Sequence, residues 1–351
     1  MNPTIRDVAR KAKVSTATVS RVLNSSGAVD ESTRRRVLDV ASELRYTPNP
    51  IGRSLSMRKT EGIGLLLPDL HGEFFSEVIR GSDQAAQSEK YHLLVSSSHN
   101  DREELEAALR MMHGRVDGLI VMSPDIDADT LVRNLPRTLP VVLMSSSAAG
   151  GSTDSIDIDN FNGAYQLVSH LISHGHSRIA IIRGTERNCD AEERVRGYKA
   201  AMKNAKIEGS MMIEERGDFS EASGFDAMKA ILERRERPTA VFSSNDSMAI
   251  GALSALFEAG FRVPEDMALG GFDDIPIARF IKPSLTSVRV RISEMGALAV
   301  ERLVDAIRQK NAHTRKRIVL PTTVIARESC GCTAGSPGGS QPVLAGKIGA
   351  Q

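Results

Sequence analysis

From Gly62 onward the chain repeats one local pattern, a short apolar run of strand length followed by a stretch with helical spacing. The runs fall at 62–67, 92–96, 117–122, 141–144, 179–182, 240–242 and 268–272, and helical spacing marks 74–88, 161–174, 194–205 and 247–259. Unbroken apolar runs this short suit strands buried on both faces, as in parallel sheets covered by helices. Alternating strands and helices therefore predict an α/β core of doubly wound parallel sheets. The pattern extends over 62–329, too long for one core, so two sheets side by side are expected.

The first 60 residues have a different texture. They carry 12 Lys plus Arg against 5 Asp plus Glu, while the remainder carries 33 against 39, so a net charge of +1 conceals a basic end. Local positive charge of this kind suits a phosphate backbone. Thr4 stands as a cap with Asp7 at N3, followed by an apolar stripe of Ile5, Val8, Ala9 and Ala12. Ser15 caps a second helix, with Val14 and Val19 placed as a hydrophobic staple and Val19, Val22 and Leu23 as the inward stripe. Only Lys13 and Val14 separate the two helices, which leaves Thr16, Ala17, Ser20 and Arg21 on other faces. Two short helices so tightly joined suit a helix-turn-helix whose second helix enters the major groove, although other small helical bundles share the pattern. Asp30 starts a third helix with Val37, Val40, Ala41 and Leu44 on one side. Arg34, Arg35 and Arg36 in its first turns are equally consistent with a solvated face and with phosphate contact.

Thr4-Ile5-Arg6-Asp7-Val8-Ala9 and Val14-Ser15-Thr16-Ala17-Thr18-Val19-Ser20-Arg21-Val22-Leu23-Asn24 resemble the N-terminus of the lactose-repressor (LacI/GalR) family. The resemblance implies that Thr16, Ala17 and Arg21 read base edges, within a DNA-contacting set of Thr4, Ser15, Thr16, Ala17, Thr18, Arg21, Asn24, Arg53 and Leu55. Arg21 can grip guanine O6 and N7 bidentately, whereas Ala17 offers only a methyl contact. Asn49-Pro50-Ile51-Gly52-Arg53-Ser54-Leu55 resembles the family's hinge helix, which folds on the operator and drives a leucine, here Leu55, into the minor groove. Off DNA the same segment reads as a flexible linker.

The resemblance continues from Gly62 to about Ser329 through Phe74-Phe75, Val116-Asp117-Gly118-Leu119-Ile120, Gly175-His176, Asn245-Asp246-Ser247-Met248-Ala249 and Gly271-Phe272-Asp273-Asp274. It implies a two-lobed core similar to periplasmic sugar-binding proteins, with Phe74, Phe75, Arg194, Phe219, Asn245 and Asp273 around a small effector. That chemistry suits a sugar or sugar derivative, because polar groups meet hydroxyls and aromatic faces stack on the ring. Gly72-Glu73 and Ser145-Ser146-Ser147 depart from residues common in the family. The expected division is a helix-turn-helix domain at 1–48, a hinge at 49–60, a core at 61–329 and a disordered tail at 330–351. Within the core the expected lobes are about 61–160 with 291–318, and 161–290 with 319–329.

Other classes fit less well. A Gly-x-Gly-x-x-Gly turn after the first strand and a phosphate-binding Gly-Lys-Ser/Thr loop are both lacking, which argues against an enzyme of nucleotides or sugar phosphates. A periplasmic receptor would need a signal peptide, and the polar first residues are not one, so the expected location is cytoplasmic without a membrane span. Cys189, Cys330 and Cys332 cannot make a disulfide framework, and Cys-x-Cys offers no second ligand pair for zinc. His170, His174 and His176 read as a polar helix end, so no metal or cofactor is expected. The combined expectation is a non-enzymatic, ligand-responsive regulator, a repressor in most such proteins, binding a pseudo-palindromic DNA operator as a homodimer.

Gly52 stands in the short hinge where the family more usually has alanine. Glycine costs a helix about 0.8 to 1.0 kcal/mol relative to alanine. Gly52→Ala should therefore tighten operator binding by up to about 2 kcal/mol per dimer, with Leu55→Ala as the control for minor-groove insertion. Unchanged or weaker operator dissociation constants at one salt concentration would refute coupled folding of this hinge.

Overall fold

Three short helices open the chain, and a side-chain oxygen fixes where each begins. The computed structural model describes residues 3–23, 27–46, 59–136, 139–146, 153–207, 209–309 and 312–332, and the chain divides into two units between Glu61 and Gly62. At the start of α1 (Ile5–Ala12) the Asp7 carboxylate accepts from the Thr4 backbone N–H at 3.0 Å and from its hydroxyl at 2.7 Å. At α2 (Thr16–Leu23) the Thr18 N–H donates to Ser15 Oγ at 3.0 Å. At α3 (Glu31–Glu43) Asp30 accepts from the N–H groups of Thr33 and Ser32 at 2.9 and 3.2 Å, and hydrogen bonds from these two residues bring its carboxyl down to about 2. Val8, Ala9, Ala12, Val19, Val22, Val37 and Ala41 form the shared core. Lys13, at φ +53°, makes the turn between α1 and α2, and the Val14 N–H closes it on the Ala9 carbonyl.

The second unit contains two six-stranded sheets. Strands β1 (Gly62–Leu67), β2 (His92–Ser97), β3 (Gly118–Met122), β4 (Val141–Met144), β5 (Asp154–Ile158) and β11 (Arg317–Leu320) form one, in the order β11-β5-β4-β3-β1-β2 and all parallel. Strands β6 (Ile179–Arg183), β7 (Met212–Arg216), β8 (Ala240–Ser243), β9 (Ala268–Asp273), β10 (Thr286–Arg289) and β12 (Thr323–Ile325) form the other, in the order β12-β10-β9-β8-β6-β7 with β12 antiparallel. The first sheet shows why its strands are apolar throughout. Ile63, Leu65, Leu67, Ile120 and Met122 face one cluster, while Leu66, Leu119 and Val121 face another that includes Leu105 and Leu109 of α5 (Arg102–Met112) and Leu131 of α6 (Ala128–Asn134). Alternate residues of each strand thus feed separate cores on the two faces.

On the first face α4 (Glu73–Ser88) packs along α11 (Ile292–Gln309). Their backbones approach so closely that a Cβ at Gly81 would stand 2.0 Å from the Ser293 carbonyl oxygen, and one at Gly296 would stand 2.4 Å from that of Val78. In the second lobe α7 (Asn160–Ser173) pairs with α8 (Cys189–Asn204), and α9 (Glu221–Glu233) with α10 (Asp246–Glu258).

Several elements differ from the sequence expectation. The strands β5, β7, β10, β11 and β12 carry polar or charged residues and do not read as apolar runs. In β5 the cause is buried acid: Asp154 receives Arg302 Nε at 3.0 Å and faces His313 Nε2 at 2.6 Å, and Asp157 receives Arg317 Nε at 2.8 Å. The first sheet continues to Leu320 through β11, two residues beyond the expected end of that lobe. Order also persists beyond the expected start of the tail at 330, because Cys330 is buried and Cys332 half-buried; 333–351 lie outside the described residues.

Gly81→Ala should destabilise the core by about 1 to 3 kcal/mol, the ordinary cost of overpacking, since the obstructing atom is backbone and cannot rotate away. An unchanged melting temperature for this variant would show that α4 can slide on α11.

Candidate DNA interface and ligand cleft

Burying Val19 and Val22 turns the opposite face of α2 outward. Thr16, Ala17 and Arg21 are exposed there, and among the described residues Arg21 has no ion-pair partner. Ser15 is exposed at the helix start, its hydroxyl 2.9 Å from that of half-buried Thr18. Thr4 is also exposed, with its hydroxyl committed to Asp7. Of the three arginines on α3, Arg36 Nε donates to the Ala12 carbonyl at 3.0 Å and Arg34 lies 3.9 Å from Glu31. Arg35 is exposed with neither kind of contact among the described residues. Asn24, Arg53, Leu55 and the hinge from 49 to 58 lie outside the described residues.

The second site gathers at the C-terminal strand ends, where open α/β sheets present diverging loops and helix N-termini. Arg194 of α8 is its centre and is 4% exposed. Its guanidinium lies 3.8 Å above the Phe272 ring; Nε donates to Asn160 Oδ1 at 2.8 Å and Nη1 to the Ser244 carbonyl at 2.5 Å, while Nη2 faces Asp273 Oδ1 at 3.4 Å. Asn160 in turn donates to Asp190 Oδ1 at 2.8 Å. Burial pushes the Asp273 carboxyl up to about 7, with Arg194 opposing the rise and Asp190 adding to it. Burial also raises Asp190, and raises Asp246 well above the usual carboxylate range. The Asp190 and Asp273 carboxyls thus share a single guanidinium.

Asp246 has a positioning role. It accepts from Ser287 Oγ at 2.6 Å and from the Ile275 N–H at 2.9 Å, holding the loop after β9 in which Asp273 and Asp274 both have positive φ, +103° and +54°. Strained backbone of this kind persists only where the surroundings fix it. Buried atoms without a hydrogen-bond partner accumulate around the cleft, among them Asp273 Oδ1, Ser146 Oγ and Ser244 Oγ. Orphaned polar atoms at strand ends are what a polar ligand would satisfy.

Asn245, expected as a direct ligand, is engaged by the protein through both halves of its amide. Its Oδ1 accepts from the Met248 N–H and its Nδ2 donates to the Phe219 carbonyl, each at 2.9 Å. Phe219 is half-buried at φ +74°, its ring packed on the backbone at Gly184. Phe74 and Phe75 meet edge to face in the first turn of α4, centroids 5.4 Å apart, in the opposite lobe. Among the contacts that bridge the lobes, Asp125, beyond β3, accepts from Thr185 Oγ1 at 3.0 Å and Asn188 Nδ2 at 3.2 Å, the Cys189 N–H donates to the Pro124 carbonyl at 3.1 Å, and Glu73 accepts from the Ile277 N–H at 3.0 Å. Asp125, Asn160, Asn188 and Asp190 were not legible as site residues, and only the helix-capping position of Asn188 gave any signal.

Residues 4–49 match the family described as "Bacterial regulatory proteins, lacI family", and residues 168–330 match a periplasmic binding protein-like domain. The ribose operon repressor of Haemophilus influenzae is 37% identical over 331 residues, covering 93% of this chain and 98% of that protein. A Lac repressor dimer bound to operator and the anti-inducer ONPF superposes with a TM-score of 0.85 at 28% identity, covering 94% of this chain and 99% of that one. A complex of the transcriptional regulator CelR with cellobiose superposes with a TM-score of 0.71 at 32% identity, covering 93% and 99%.

The Asp273 carboxyl is raised from 3.8 to about 7 on folding. The fold therefore favours its protonated form, whose stabilising contribution is complete below pH 3.8 and is lost as pH rises through about 7. Between about pH 5 and 8 the unliganded wild type should lose more melting temperature than Asp273→Asn, which cannot ionise. Parallel declines would show that Asp273 is already ionised at the lower pH.

Proposed function

The chain belongs to the lacI family of bacterial regulatory proteins and is a ligand-responsive transcriptional repressor, and from that premise we propose which residues read DNA and which chemistry the effector has. It acts on operator DNA as a homodimer. One helix-turn-helix covers a half-site, and a two-fold dimer matches a pseudo-palindrome whose halves are spaced by a helical repeat. Arg21 supplies the main base contact, flanked by Thr16 and Ala17, with Thr4, Ser15, Thr18 and Asn24 holding the backbone and Arg53 and Leu55 acting from the hinge. The exposure of Arg21 beside two small residues, on the face of α2 opposite buried Val19 and Val22, supports this reading. The protein works in the cytoplasm and catalyses no reaction; among the described residues no helix is long and apolar enough to cross a membrane.

The effector is a neutral polyol, a sugar or a close derivative. The observation that carries this is the Arg194–Asp273 pair, with the Asp190 carboxyl linked to Arg194 through Asn160. An anion would meet a single guanidinium whose charge is already shared with Asp190 and Asp273, whereas hydroxyl groups can donate to and accept from these carboxyls and accept from Arg194. Phe74, Phe75 and Phe219 supply apolar surface for a ring, and Asn245 positions Phe219. Effector control requires different affinity for two lobe arrangements. The Asp125–Asn188 and Glu73–Ile277 bridges are the contacts that such a change would make or break.

Arg21→Ala should weaken operator binding by about 1 to 3 kcal/mol while largely sparing random-sequence DNA. Equal losses on both DNAs would assign Arg21 to phosphate. A thermal-shift screen of neutral sugars against sugar phosphates tests the effector class, since a ligand of the native state raises the melting temperature by mass action. The raising ligand should be neutral, and Asp273→Asn should lose both that shift and the operator response while keeping unliganded operator affinity within several-fold. A stabilising sugar phosphate would overturn the electrostatic assignment.

A further inference from the structure

The sequence gives no reason to associate the Cys330-Gly331-Cys332 segment with the histidines near residue 170, but the fold brings them together. His170 lies in the last turn of α7 and His174 caps that helix. Cys330 Sγ is 3.2 Å from His170 Nε2, and Cys332 Sγ is 3.8 Å from the same nitrogen and 3.3 Å from His174 Nε2. The ligand atoms of His170, Cys330 and Cys332 all lie within 4.8 Å of one another. The second ligand pair, which the spacing of the cysteines alone cannot provide, thus comes from α7.

We propose that His170, His174, Cys330 and Cys332 form a Cys2His2 site for a thiophilic divalent cation of the zinc class. Zn–S bonds of about 2.3 Å and Zn–N bonds of about 2.0 to 2.1 Å put sulfur and nitrogen about 3.5 Å apart in a tetrahedron. Three of the four S···N separations in such a set, 3.2, 3.3 and 3.8 Å, bracket that value, and His174 joins the other three ligands through Cys332. Two imidazoles and two thiolates are a donor set that selects zinc over the oxygen-seeking cations. The orientation of His174 also fits: its Nδ1 meets the His170 carbonyl at 2.9 Å, which fixes the tautomer and turns Nε2 toward Cys332, as outer partners of metal-bound histidines commonly do. His176 is turned away, its Nδ1 paired with Thr239 Oγ1 at 3.0 Å.

Both halves of the site are held in place without an ion. Ser329 Oγ donates to the Leu269 carbonyl at 2.6 Å and accepts from the Thr286 N–H at 2.8 Å, and Glu328 accepts from the N–H and hydroxyl of Ser284. The short helix Glu328–Cys330 is therefore fastened to β9 and to the segment leading into β10. Gly331, at φ +89°, then reverses the chain so that Cys332 returns to α7. Cys330 is buried while His174 is exposed, which gives an ion an approach from solvent. The bound cation would clamp the end of the core domain to α7, the first helix of the second lobe.

The test is a Co2+ titration of the full chain, reduced and stripped with chelator, with free thiols counted beforehand. The expected result is one Co2+ per chain, with thiolate-to-cobalt charge-transfer absorption, the intense visible bands of tetrahedral cobalt, and displacement by Zn2+. His174→Gln, on the exposed rim, should weaken binding at least about 10 to 100-fold while leaving the fold and operator binding intact, and Cys332→Ser should weaken binding and diminish the charge-transfer band, to which Cys330 alone can then contribute. Cys189→Ser should bind as wild type does. No Co2+ uptake by protein with three free thiols, weak visible bands of octahedral cobalt, or binding that survives loss of both Cys330 and Cys332 would each overturn the proposal.

Discussion

The guanidinium of Arg194 determines the electrostatics of the core domain. It is buried, stacked on Phe272, and bonded to a side-chain amide from one element and a main-chain carbonyl from another. Without it, Asp190 and Asp273 would be buried with no cation beside them, a situation that costs far more than an exposed charge. With it, the carboxyls remain short of full compensation, and Asp273 still titrates near 7. On the polyol reading proposed above, the hydroxyl groups of the effector would meet this under-satisfied site, which exists before any ligand arrives.

How legible the molecule is in its sequence depends on the range of the interactions involved. The first unit is governed by neighbours three or four residues apart, so Thr4, Ser15 and Asp30 disclose their helices, and the stripe of Val19 and Val22 discloses the outward face of α2. The buried strands β1, β3 and β4 are equally legible because both faces are apolar. β5 is hidden because its acids are neutralised by Arg302, His313 and Arg317, more than a hundred residues away. Arg194 and Asp273 were named by resemblance, yet Asn160, which links Arg194 to Asp190, was not, because nothing near residue 160 signals that its amide will join two such groups. The reading of Asn245 as a ligand missed its capping role, which takes up both ends of the amide.

The same difference in range explains why the C-terminal cysteines and the α7 histidines do not read as one cluster in the sequence. Sequence spacing makes Cys-x-Cys an incomplete ligand set, and His170 with His174 an ordinary helix end. What joins them is the return of the chain through β12, alongside β10, to the flank of α7. Clusters assembled across such separations become visible only once the topology is known.

The order in which the chain visits its two lobes has a consequence for synthesis. It builds most of the first sheet, crosses to the second, returns for α11 and β11, and crosses again for β12. Neither lobe owns a continuous segment, so on the ribosome neither sheet can be completed until β11 and β12, at 317–320 and 323–325, have emerged. The helix-turn-helix, by contrast, is whole within the first 46 residues and has its own core. Domains fold as they are released, N-terminal first. Each newly made molecule therefore passes through an interval in which the part that contacts DNA is formed and the part that senses the ligand is not. An early truncation would leave that interval permanent.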